Sequence, residues 1–221
     1  MSSQPPNDSR TPRDRLLDAR LYLCCDARES GELEELLSRA VEGGVDVIQL
    51  REKTGDRQAI LRASEIFRSV ADRSGALFVL NDDPELALEV RADGVHVGQD
   101  DLASVEARKV VGPERIVGLS THSPSQLEEA LDDVEIDYFS AGPVWETPTK
   151  QGRPAAGLDY VSLVAERAGS RPWFAIGAID SGNIGRVLEA GARRICVVRA
   201  IADASYPREA ARELKQAILG A

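Results

Sequence analysis

Three polar side chains share one face at the end of a predicted strand. Gln49, Arg51 and Lys53 stand two residues apart in the segment QLREK, and alternate residues of an extended chain point the same way. This face therefore presents an amide, a guanidinium and an ammonium group together. Arg binds phosphate through paired hydrogen bonds, and Lys binds it as a point charge. We interpret the face as a polyanion site; ordinary surface charge at an exposed strand end is the alternative.

Paired acids end the next two predicted strands. Asp82 and Asp83 follow one strand. Asp100 and Asp101 follow the next, so adjacent strands bring carboxylates close together. Carboxylates beside a phosphate clamp suit Mg²⁺, which keeps several waters and takes further ligands from substrate phosphates. Asp83 directly precedes Pro84 and is predicted to cap a helix. We therefore assign Asp82 and Asp101 to the metal and leave Asp100 as solvated or supporting; a proton-sharing carboxylate pair is the weaker alternative.

The longest predicted loop carries a second group of candidate ligand-binding residues. It contains Thr147, Thr149 and Lys150 among glycines and prolines that let backbone amides approach a ligand. Gly177, after the seventh predicted strand, is predicted to open a helix-starting turn where barrels commonly hold a phosphate. Two anion sites are therefore expected, one assisted by a metal and the other formed mainly by backbone amides.

The histidines and cysteines predict neither a zinc site nor a disulfide scaffold. His96 alternates with valines inside a strand and is interpreted as a satisfied interior residue. His122 lies on a loop at the catalytic end, where both a functional and a structural role stay open. No HxH or HExxH spacing is present, which argues against zinc. Cys24 and Cys196 lie in apolar runs and are interpreted as buried, inert thiols, and an odd number of cysteines without a CxxC pair fits a reducing cytoplasm.

Short apolar runs that alternate with helical patterns position these residues. The runs are apolar on both faces, as expected for parallel strands covered on two sides. Amphipathic segments such as ELEELLSRAVEGG and RQAILRASEIFRSVADRSG separate them and end at glycines. The predicted strands are Leu21–Cys24, Val45–Leu50, Leu77–Leu80, Gly94–Val97, Ile116–Leu119, Tyr138–Ala141, Trp173–Ile176 and Ile195–Val198.

Eight strand–helix units in a chain of 221 residues predict a single (β/α)₈ TIM barrel over residues 15–221. The alternative is an open doubly wound sheet, which would concentrate its phosphate-binding signal in a glycine-rich turn after the first strand. The segment DARESGE at that point has no such turn. Residues 1–14 are polar and contain prolines, so we predict a disordered tail there. In a barrel, the loops that follow the strands form the active site, and the polar residues recur in those loops.

The composition excludes several classes of function. The chain has 27 Lys and Arg against 37 Asp and Glu, a net charge of −10, which argues against nucleic acid or an anionic membrane as the main partner. No stretch approaches the ~20 apolar residues of a membrane span, and the first dozen residues lack the apolar region of a signal peptide. We expect a cytoplasmic protein that acts on small molecules. Formation of a homo-oligomer stays open.

Taken in order, the segments QLREK, NDD, ADGVHVGQDD, STH, TPTK and AIG resemble thiamine-phosphate synthases, also called thiamine-phosphate pyrophosphorylases. The resemblance covers residues 21–218. It implies a (β/α)₈ barrel that joins hydroxymethylpyrimidine diphosphate to hydroxyethylthiazole phosphate, or its carboxylated form, and releases diphosphate with Mg²⁺. It also implies Mg²⁺ ligation by Asp82 and Asp101. The residues implied for the pyrimidine diphosphate are Gln49, Arg51, Lys53, Asn81, Ser120 and Lys150, of which Arg51, Lys53, Ser120 and Lys150 are expected to be catalytic. Those implied for the thiazole phosphate are Thr147, Pro148, Thr149, Gly177, Ala178, Val198 and Arg199.

Two positions depart from the family pattern. Ala178 stands where the family usually has a second glycine, so it adds a Cβ where backbone must approach phosphate. Arg199 stands where the family often has serine, and its guanidinium would add a charge-assisted phosphate bond that offsets this change.

The reaction implied is a dissociative substitution at the exocyclic methylene of the pyrimidine. The thiazole nitrogen attacks with a neutral lone pair, so no general base is required. Closure of the loop over residues 145–154 would keep water away from the reacting carbon. The alternatives are a thiazole tautomerase that uses His122 as acid and base, and a non-catalytic barrel that binds phosphorylated ligands. A Schiff-base aldolase is disfavoured because no predicted strand carries a central lysine.

Overall fold

Eight parallel strands close into a barrel in the order of the sequence. A computed structural model describes residues 10–28, 30–53, 56–147 and 154–221. Each strand pairs with its sequence neighbours, and the first pairs with the last. The predicted TIM barrel and all eight predicted strands are thereby confirmed, with strand ends that differ by no more than two residues. The strands are β1 (Leu21–Cys25), β2 (Val47–Leu50), β3 (Leu77–Asn81), β4 (Gly94–Val97), β5 (Ile116–Thr121), β6 (Tyr138–Ala141), β7 (Trp173–Ile176) and β8 (Ile195–Val197).

Helices cover the outside of the strands. Their ends follow local signals: the side chain of Ser123 accepts a hydrogen bond from the backbone N–H of Gln126 at the start of one helix, and Gly75 ends another in the left-handed conformation with φ of 79°. None of the helices in the described ranges is long and apolar enough to cross a membrane. The helices are α1 (Pro12–Leu16), α2 (Ser30–Glu42), α3 (Arg57–Ser74), α4 (Pro84–Glu89), α5 (Ser104–Val111), α6 (Pro124–Asp132), α7 (Gly157–Arg167), α8 (Ile184–Glu189), α9 (Arg199–Ala202) and α10 (Pro207–Leu219).

Helix α1 corrects the predicted extent of the N-terminal tail. The side chain of Thr11 accepts a hydrogen bond from the backbone N–H of Asp14, and the side chain of Asp14 accepts one from the backbone N–H of Thr11, so the two residues form a capping box. Leu16 is buried and packs in the core inside the barrel, and Arg13 forms an ion pair with Asp137. The tail boundary at residue 14 is therefore wrong, because contacts with distant residues order α1 at the N-terminal end of the barrel. Residues 1–9 lie outside the described ranges.

Three aspartates tie neighbouring strands together at the N-terminal end of the barrel. Each directly precedes an even-numbered strand and accepts a hydrogen bond from the backbone N–H of a residue in the preceding strand. Each also forms an ion pair with a basic side chain from a surrounding helix. These carboxylates have their acceptor positions filled by protein donors. The three sets are Asp46 with Leu21 and Lys215, Asp93 with Phe78 and Arg68, and Asp137 with Val117 and Arg108.

The barrel interior contains an aromatic cluster below the mouth. The ring centroids of Tyr22 and Phe174 are 5.2 Å apart, and those of Tyr138 and Phe174 are 5.6 Å apart, both with edge-to-face geometry. Cys24 and Cys196 are buried in the same interior cluster. These side chains fill the lower part of the barrel, below the loops at the carboxyl ends of the strands that carry the polar residues.

Candidate active site

Two adjoining cavities open at the carboxyl ends of the strands. One has a volume of about 340 Å³ and descends along the barrel axis to Tyr22, Tyr138 and Phe174. The other, of about 280 Å³, lies to one side beneath charged residues. Because the two share lining residues, they form one continuous site with an aromatic floor and a charged flank. The shared residues are Arg51, Asn81, His96, Ser120 and His122.

The face predicted for the end of β2 points into this site. Gln49 is buried and lines the larger cavity, and Arg51 lines both cavities. Lys53 lines the smaller one. Glu52 points the other way and accepts a hydrogen bond from the backbone N–H of Ala27 at 3.3 Å. The alternation of an extended chain thus brings the amide, guanidinium and ammonium groups into one site.

The carboxylates assigned to a metal lie next to each other. Asp82 is hydrogen-bonded to Asp101, and its Oδ2 lies 2.5 Å from Nζ of Lys53. Oδ2 of Asp101 accepts a hydrogen bond from the backbone N–H of Gly98 at 2.7 Å. Asp83 caps α4 through its side chain, as predicted. The assignment of Asp82 to the metal and of Asp83 to the helix cap is therefore consistent with the structure, since the side chain of Asp83 is used by the helix.

The electrostatics of this pair favour a cation. Burial raises the pKa of Asp82, and the hydrogen bond to Asp101 acts in the same direction against the opposing effect of Lys53. Burial acts on Asp101 in the same sense, but hydrogen bonds from Asp82 and Gly98 hold the pKa of Asp101 below its usual value. Two carboxylates this close repel each other when both are ionised, and a divalent ion between them would offset that repulsion. The backbone of Asp82 is strained as well, with φ of 68°.

The donor set at this point fits Mg²⁺. Two carboxylates supply hard oxygen ligands, and in the described part of the chain no group of three or more His, Cys, Asp or Glu side chains could hold a metal on its own. Mg²⁺ commonly binds through one or two carboxylates and completes its octahedron with waters and substrate phosphates. Asp82 and Asp101 face the cavity that Arg51 and Lys53 line, where phosphate groups would supply those ligands.

The two histidines occupy different environments at the mouth. The ring of His96 is buried, with Nδ1 2.9 Å from the Tyr138 hydroxyl and Nε2 3.0 Å from Oγ of Ser120, so the interpretation as a satisfied interior histidine is confirmed. His122 lines both cavities, and its Nδ1 donates to the carbonyl oxygen of Gly142 at 2.5 Å. Because a carbonyl oxygen can only accept, Nδ1 of His122 carries a proton.

Residues predicted for the thiazole phosphate line the larger cavity from the opposite side. Those within the described ranges come from the loops after β6, β7 and β8. Pro148 and Thr149, predicted for the same phosphate, lie outside the described residues, and so does Lys150, which is predicted for the diphosphate. The residues found at the larger cavity are Thr147, Gly177, Ala178, Val198 and Arg199.

The turn after β7 differs from the prediction. Gly177 does not open a helix, because α8 begins only at Ile184. Gly177 and Ala178 both have positive φ, 119° and 51°, and a left-handed pair cannot continue into a right-handed helix. A Cβ at Gly177 would lie 2.5 Å from Cα of Pro143, so glycine is required there. Ala178 holds a conformation that favours glycine. The alanine that replaces the family's usual glycine here is therefore held in a strained backbone conformation.

Sequence reasoning missed the aromatic floor of the site. Tyr22 stands two residues before Cys24, and Tyr138 stands two residues before Ser140; all four line the larger cavity. The period of two in a strand could have identified both tyrosines, because each points to the same face as a residue nearer the mouth. Phe174 has the same relation to Ile176, so one signal would have found all three aromatic residues.

Comparisons with known proteins identify the family of this chain. The family model for thiamine monophosphate synthase matches residues 21–201. A thiamine-phosphate synthase from Acidothermus cellulolyticus is 53% identical over 199 residues, which cover 90% of this chain and 94% of that protein. One from Thermus thermophilus is 52% identical over 204 residues, covering 91% and 98%.

A solved structure is similar over nearly the same range. Thiamine phosphate pyrophosphorylase from Pyrococcus furiosus superposes with a TM-score of 0.82 at 31% identity, covering 94% of this chain and 98% of that one. A 3-hexulose-6-phosphate synthase, at 20% identity and a TM-score of 0.66, shares the fold alone. The chain therefore belongs to the thiamine-phosphate synthase family, whose members are enzymes of thiamine biosynthesis.

Proposed function

We propose that this enzyme uses Mg²⁺ to couple 4-amino-5-hydroxymethyl-2-methylpyrimidine diphosphate to a thiazole phosphate, yielding thiamine monophosphate and diphosphate. The observation that carries the proposal is the position of Arg51 and Lys53 beside the adjacent carboxylates of Asp82 and Asp101, on one flank of a cavity with an aromatic floor. Such a site accommodates a diphosphate at its flank and a flat ring on its floor.

The charged flank would bind the diphosphate. Arg51 offers paired N–H donors and Lys53 a point charge, while Asn81 and Ser120 line the same cavity with neutral groups. Mg²⁺ held by Asp82 and Asp101 would neutralise charge that develops on the departing diphosphate. Lys53 contacts Asp82 at 2.5 Å, so its ammonium lies beside a carboxylate that would hold the metal and could bind a phosphate group placed there. The described residues therefore converge on the leaving group.

The substitution itself requires no proton transfer. The bond between the pyrimidine methylene carbon and the diphosphate oxygen breaks, and its electron pair leaves on that oxygen. The amino-substituted ring delocalises the positive charge, and the lone pair of the thiazole nitrogen forms the new carbon–nitrogen bond. Arg51 and Lys53 stabilise the departing anion electrostatically, and the buried floor around Tyr138 and Phe174 keeps water from the methylene carbon.

The second half of the substrate would enter from the side of β7 and β8. The turn at Gly177 and Ala178 borders the larger cavity and brings backbone close to it. Arg199, at the start of α9, borders the same space and would bind the thiazole phosphate through its guanidinium. We propose Thr147, Pro148 and Thr149 for the same phosphate and Lys150 for the diphosphate, on the family resemblance.

The location that we propose is the cytoplasm. All three cysteines, Cys24, Cys25 and Cys196, are buried and form no disulfide with another described residue, and burial raises the pKa of the Cys25 thiol far above its ordinary value. A reducing compartment keeps cysteines in the thiol form, outside disulfides.

The test is incubation of the full chain with both phosphorylated halves, followed by mass spectrometry for the coupled product and assay of free diphosphate. With Mg²⁺ we expect both products in equal amounts, and with a chelator in place of Mg²⁺ we expect neither. Binding of both halves without coupling would overturn the proposed activity. Undiminished coupling in the chelator would overturn the metal's part in it.

Lys150 provides a second test of the leaving-group chemistry. Lys150→Ala is expected to lower turnover far more than it lowers the free energy of unfolding, because an ammonium on departing diphosphate acts in the transition state. The matched control is Lys109→Ala, since Lys109 lies on α5 and pairs with Glu106 at 2.6 Å. Unchanged turnover for Lys150→Ala would remove Lys150 from the mechanism.

A further inference from the structure

Four buried polar groups form a hydrogen-bonded chain from the barrel floor to the active site. The hydroxyls of Tyr22 and Tyr138 are 2.9 Å apart, and the Tyr138 hydroxyl is 2.9 Å from Nδ1 of His96. Nε2 of His96 is 3.0 Å from Oγ of Ser120. The exposed fractions of the four residues run from 1% to 8%. Ser120 forms the outer end of this chain, and both Ser120 and His96 line the two cavities.

The barrel is built to let this chain form. His96, Gly118 and Tyr138 are register partners on β4, β5 and β6. A Cβ at Gly118 would lie 2.3 Å from the Tyr138 ring and 2.6 Å from Nδ1 of His96. The missing side chain on β5 therefore leaves the space in which side chains from β4 and β6 meet. Ser120 follows Gly118 by two residues and so points to the same face.

The protons in this chain can run in either of two directions. In the inward direction Ser120 donates to Nε2 of His96, Nδ1 donates to Tyr138, and Tyr138 donates to Tyr22. The oxygen of Ser120 then turns its lone pairs towards the cavity, where a ligand phosphate would repel them.

The outward direction uses each proton. Tyr22 donates to Tyr138, Tyr138 donates to Nδ1 of His96, and Nε2–H donates to Ser120. The hydroxyl proton of Ser120 is then free to point at an anionic oxygen in the cavity. Burial raises the pKa of both Tyr22 and Tyr138 well above the ordinary value, so both remain hydroxyl donors. An anion in the site selects this direction, because a chain of buried hydrogen bonds aligns as a unit.

We infer that His96 is a positioning residue: Tyr138 holds its imidazole as the Nε2–H tautomer, and the imidazole thereby directs the hydroxyl proton of Ser120 at the diphosphate. The inference rests on the proposed function only in naming the ligand. It assigns to Tyr22, Tyr138 and His96 one common effect, which reaches the substrate through Ser120 alone. The three side chains need touch no phosphate atom themselves.

The tautomer can be measured directly on the unmodified protein. The chain has two histidines, so long-range proton–nitrogen correlation spectra of nitrogen-15-labelled protein contain two imidazole patterns, and the His122→Gln variant assigns them. With Mg²⁺ and inorganic diphosphate bound, we expect His96 to show a neutral ring protonated at Nε2. A ring protonated at Nδ1, or at both nitrogens, would overturn the inference. This readout needs no coupling reaction, so it stands apart from the test of the proposed function.

Variants then test whether the chain acts through Ser120. Tyr138→Phe and Ser120→Ala are each expected to weaken binding of Mg²⁺–diphosphate roughly tenfold, as the loss of one hydrogen bond to a charged group predicts. Calorimetric titration supplies the dissociation constants. In the Ser120→Ala background, Tyr138→Phe should have no further effect. A further tenfold loss there would show that Tyr138 acts by another route, and the inference would fail.

Tyr160→Phe is the matched control. The Tyr160 hydroxyl is also buried and donates to Oγ1 of Thr121 at 2.8 Å, but it belongs to a helix outside the barrel. Its loss is expected to leave diphosphate binding unchanged. His96→Gln should retain part of the affinity that His96→Leu loses, since the glutamine amide can still donate to Ser120. Equal losses in these two variants would contradict the donor role of Nε2.

Discussion

Aspartates occur at both ends of the barrel, and their partners differ. At the N-terminal end, Asp46, Asp93 and Asp137 each accept a hydrogen bond from a backbone N–H of the neighbouring strand and form an ion pair with a basic side chain. At the mouth, Asp82 pairs with Lys53 and Asp101 accepts from the backbone N–H of Gly98, but these two carboxyl groups also contact each other. The same residue type therefore stands singly and stabilises the fold at one end, whereas at the other end two carboxyl groups lie side by side, where a cation would offset their repulsion.

Backbone strain occurs at both ends and is more frequent at the mouth. The mouth contains two non-glycine residues at positive φ, Asp82 at 68° and Ala178 at 51°, whereas the N-terminal end has Arg91 at 56° in the described part of the chain. Strain of this kind persists where the surrounding structure fixes the conformation, and it concentrates at functional sites. The comparison predicts that replacing a charged residue at the N-terminal end lowers the free energy of unfolding and leaves turnover unchanged. Replacing a charged residue at the mouth should lower turnover and change the free energy of unfolding little.

The largest effect is expected at the N-terminal end. Asp137→Ala removes an acceptor for Val117 N–H at 2.8 Å and leaves Arg108, whose guanidinium lies 2.7 Å from the carboxylate, without that partner. We expect the free energy of unfolding to fall by about 3–5 kcal/mol, as is usual when one partner of a buried pair is removed. Urea unfolding measures the loss. Turnover per folded molecule should be unchanged.

Asp72→Ala is the control for this variant. Asp72 also pairs with an arginine, Arg68, at 2.9 Å, but its side chain is 62% exposed. An exposed pair contributes about 0–1 kcal/mol, so the loss should be small. Equal losses for the two variants would show that burial of an ion pair does not determine how much it stabilises the fold. The proposed structural role of the N-terminal aspartates would then be contradicted.

The next largest effect is expected at the mouth. Asp101→Asn keeps the shape of the side chain but removes the charge assigned to the metal, and it should lower turnover by roughly 10²–10³-fold, the loss typical of one preorganised electrostatic group. The free energy of unfolding should change little. Asp100→Asn, one residue away, is the control and should retain activity. Loss of activity that only parallels loss of folded protein would contradict the functional assignment of Asp101.

The fold and half of the site follow from local patterns in the sequence. Apolar runs of strand length predict the barrel, and a period of two places Gln49, Arg51 and Lys53 on one face. Pro84 identifies the capping acid after β3. Each of these signals lies within a few residues of the feature that it predicts, so no knowledge of the tertiary structure is needed.

Other features depend on residues far apart in the chain. Helix α1 is ordered partly by the pair of Arg13 with Asp137, which are 124 residues apart. The contact between His96 and Tyr138 requires the register of three strands and the missing side chain of Gly118. Hydrophobic patterning gives neither the register nor the φ of a turn residue, so these features emerge only from the structure.

A smaller effect is expected at Ala178. Ala178→Gly relieves a left-handed alanine, which costs roughly 1–2 kcal/mol, at the expense of some added freedom in the unfolded chain. We expect a net gain of about 1 kcal/mol in the free energy of unfolding. Ala190→Gly is the control, since Ala190 has φ of −72°, and it should lose about 0.5–1 kcal/mol. If both variants lose stability, the left-handed conformation of Ala178 is not a source of strain.

The smallest effect concerns the pH dependence of stability at Asp82. Burial raises the pKa of Asp82 in the folded state above its ordinary value of 3.8. Between that value and the raised one, the folded chain binds more protons than the unfolded chain, so stability falls as the pH rises through this window. Asp82→Asn removes the titrating group. In metal-free buffer, the free energy of unfolding of Asp82→Asn minus that of the wild type should therefore increase as the pH increases from 3.5 to neutrality. A difference that instead grows towards acid would mean that Lys53 outweighs burial, and the mouth would then resemble the N-terminal end.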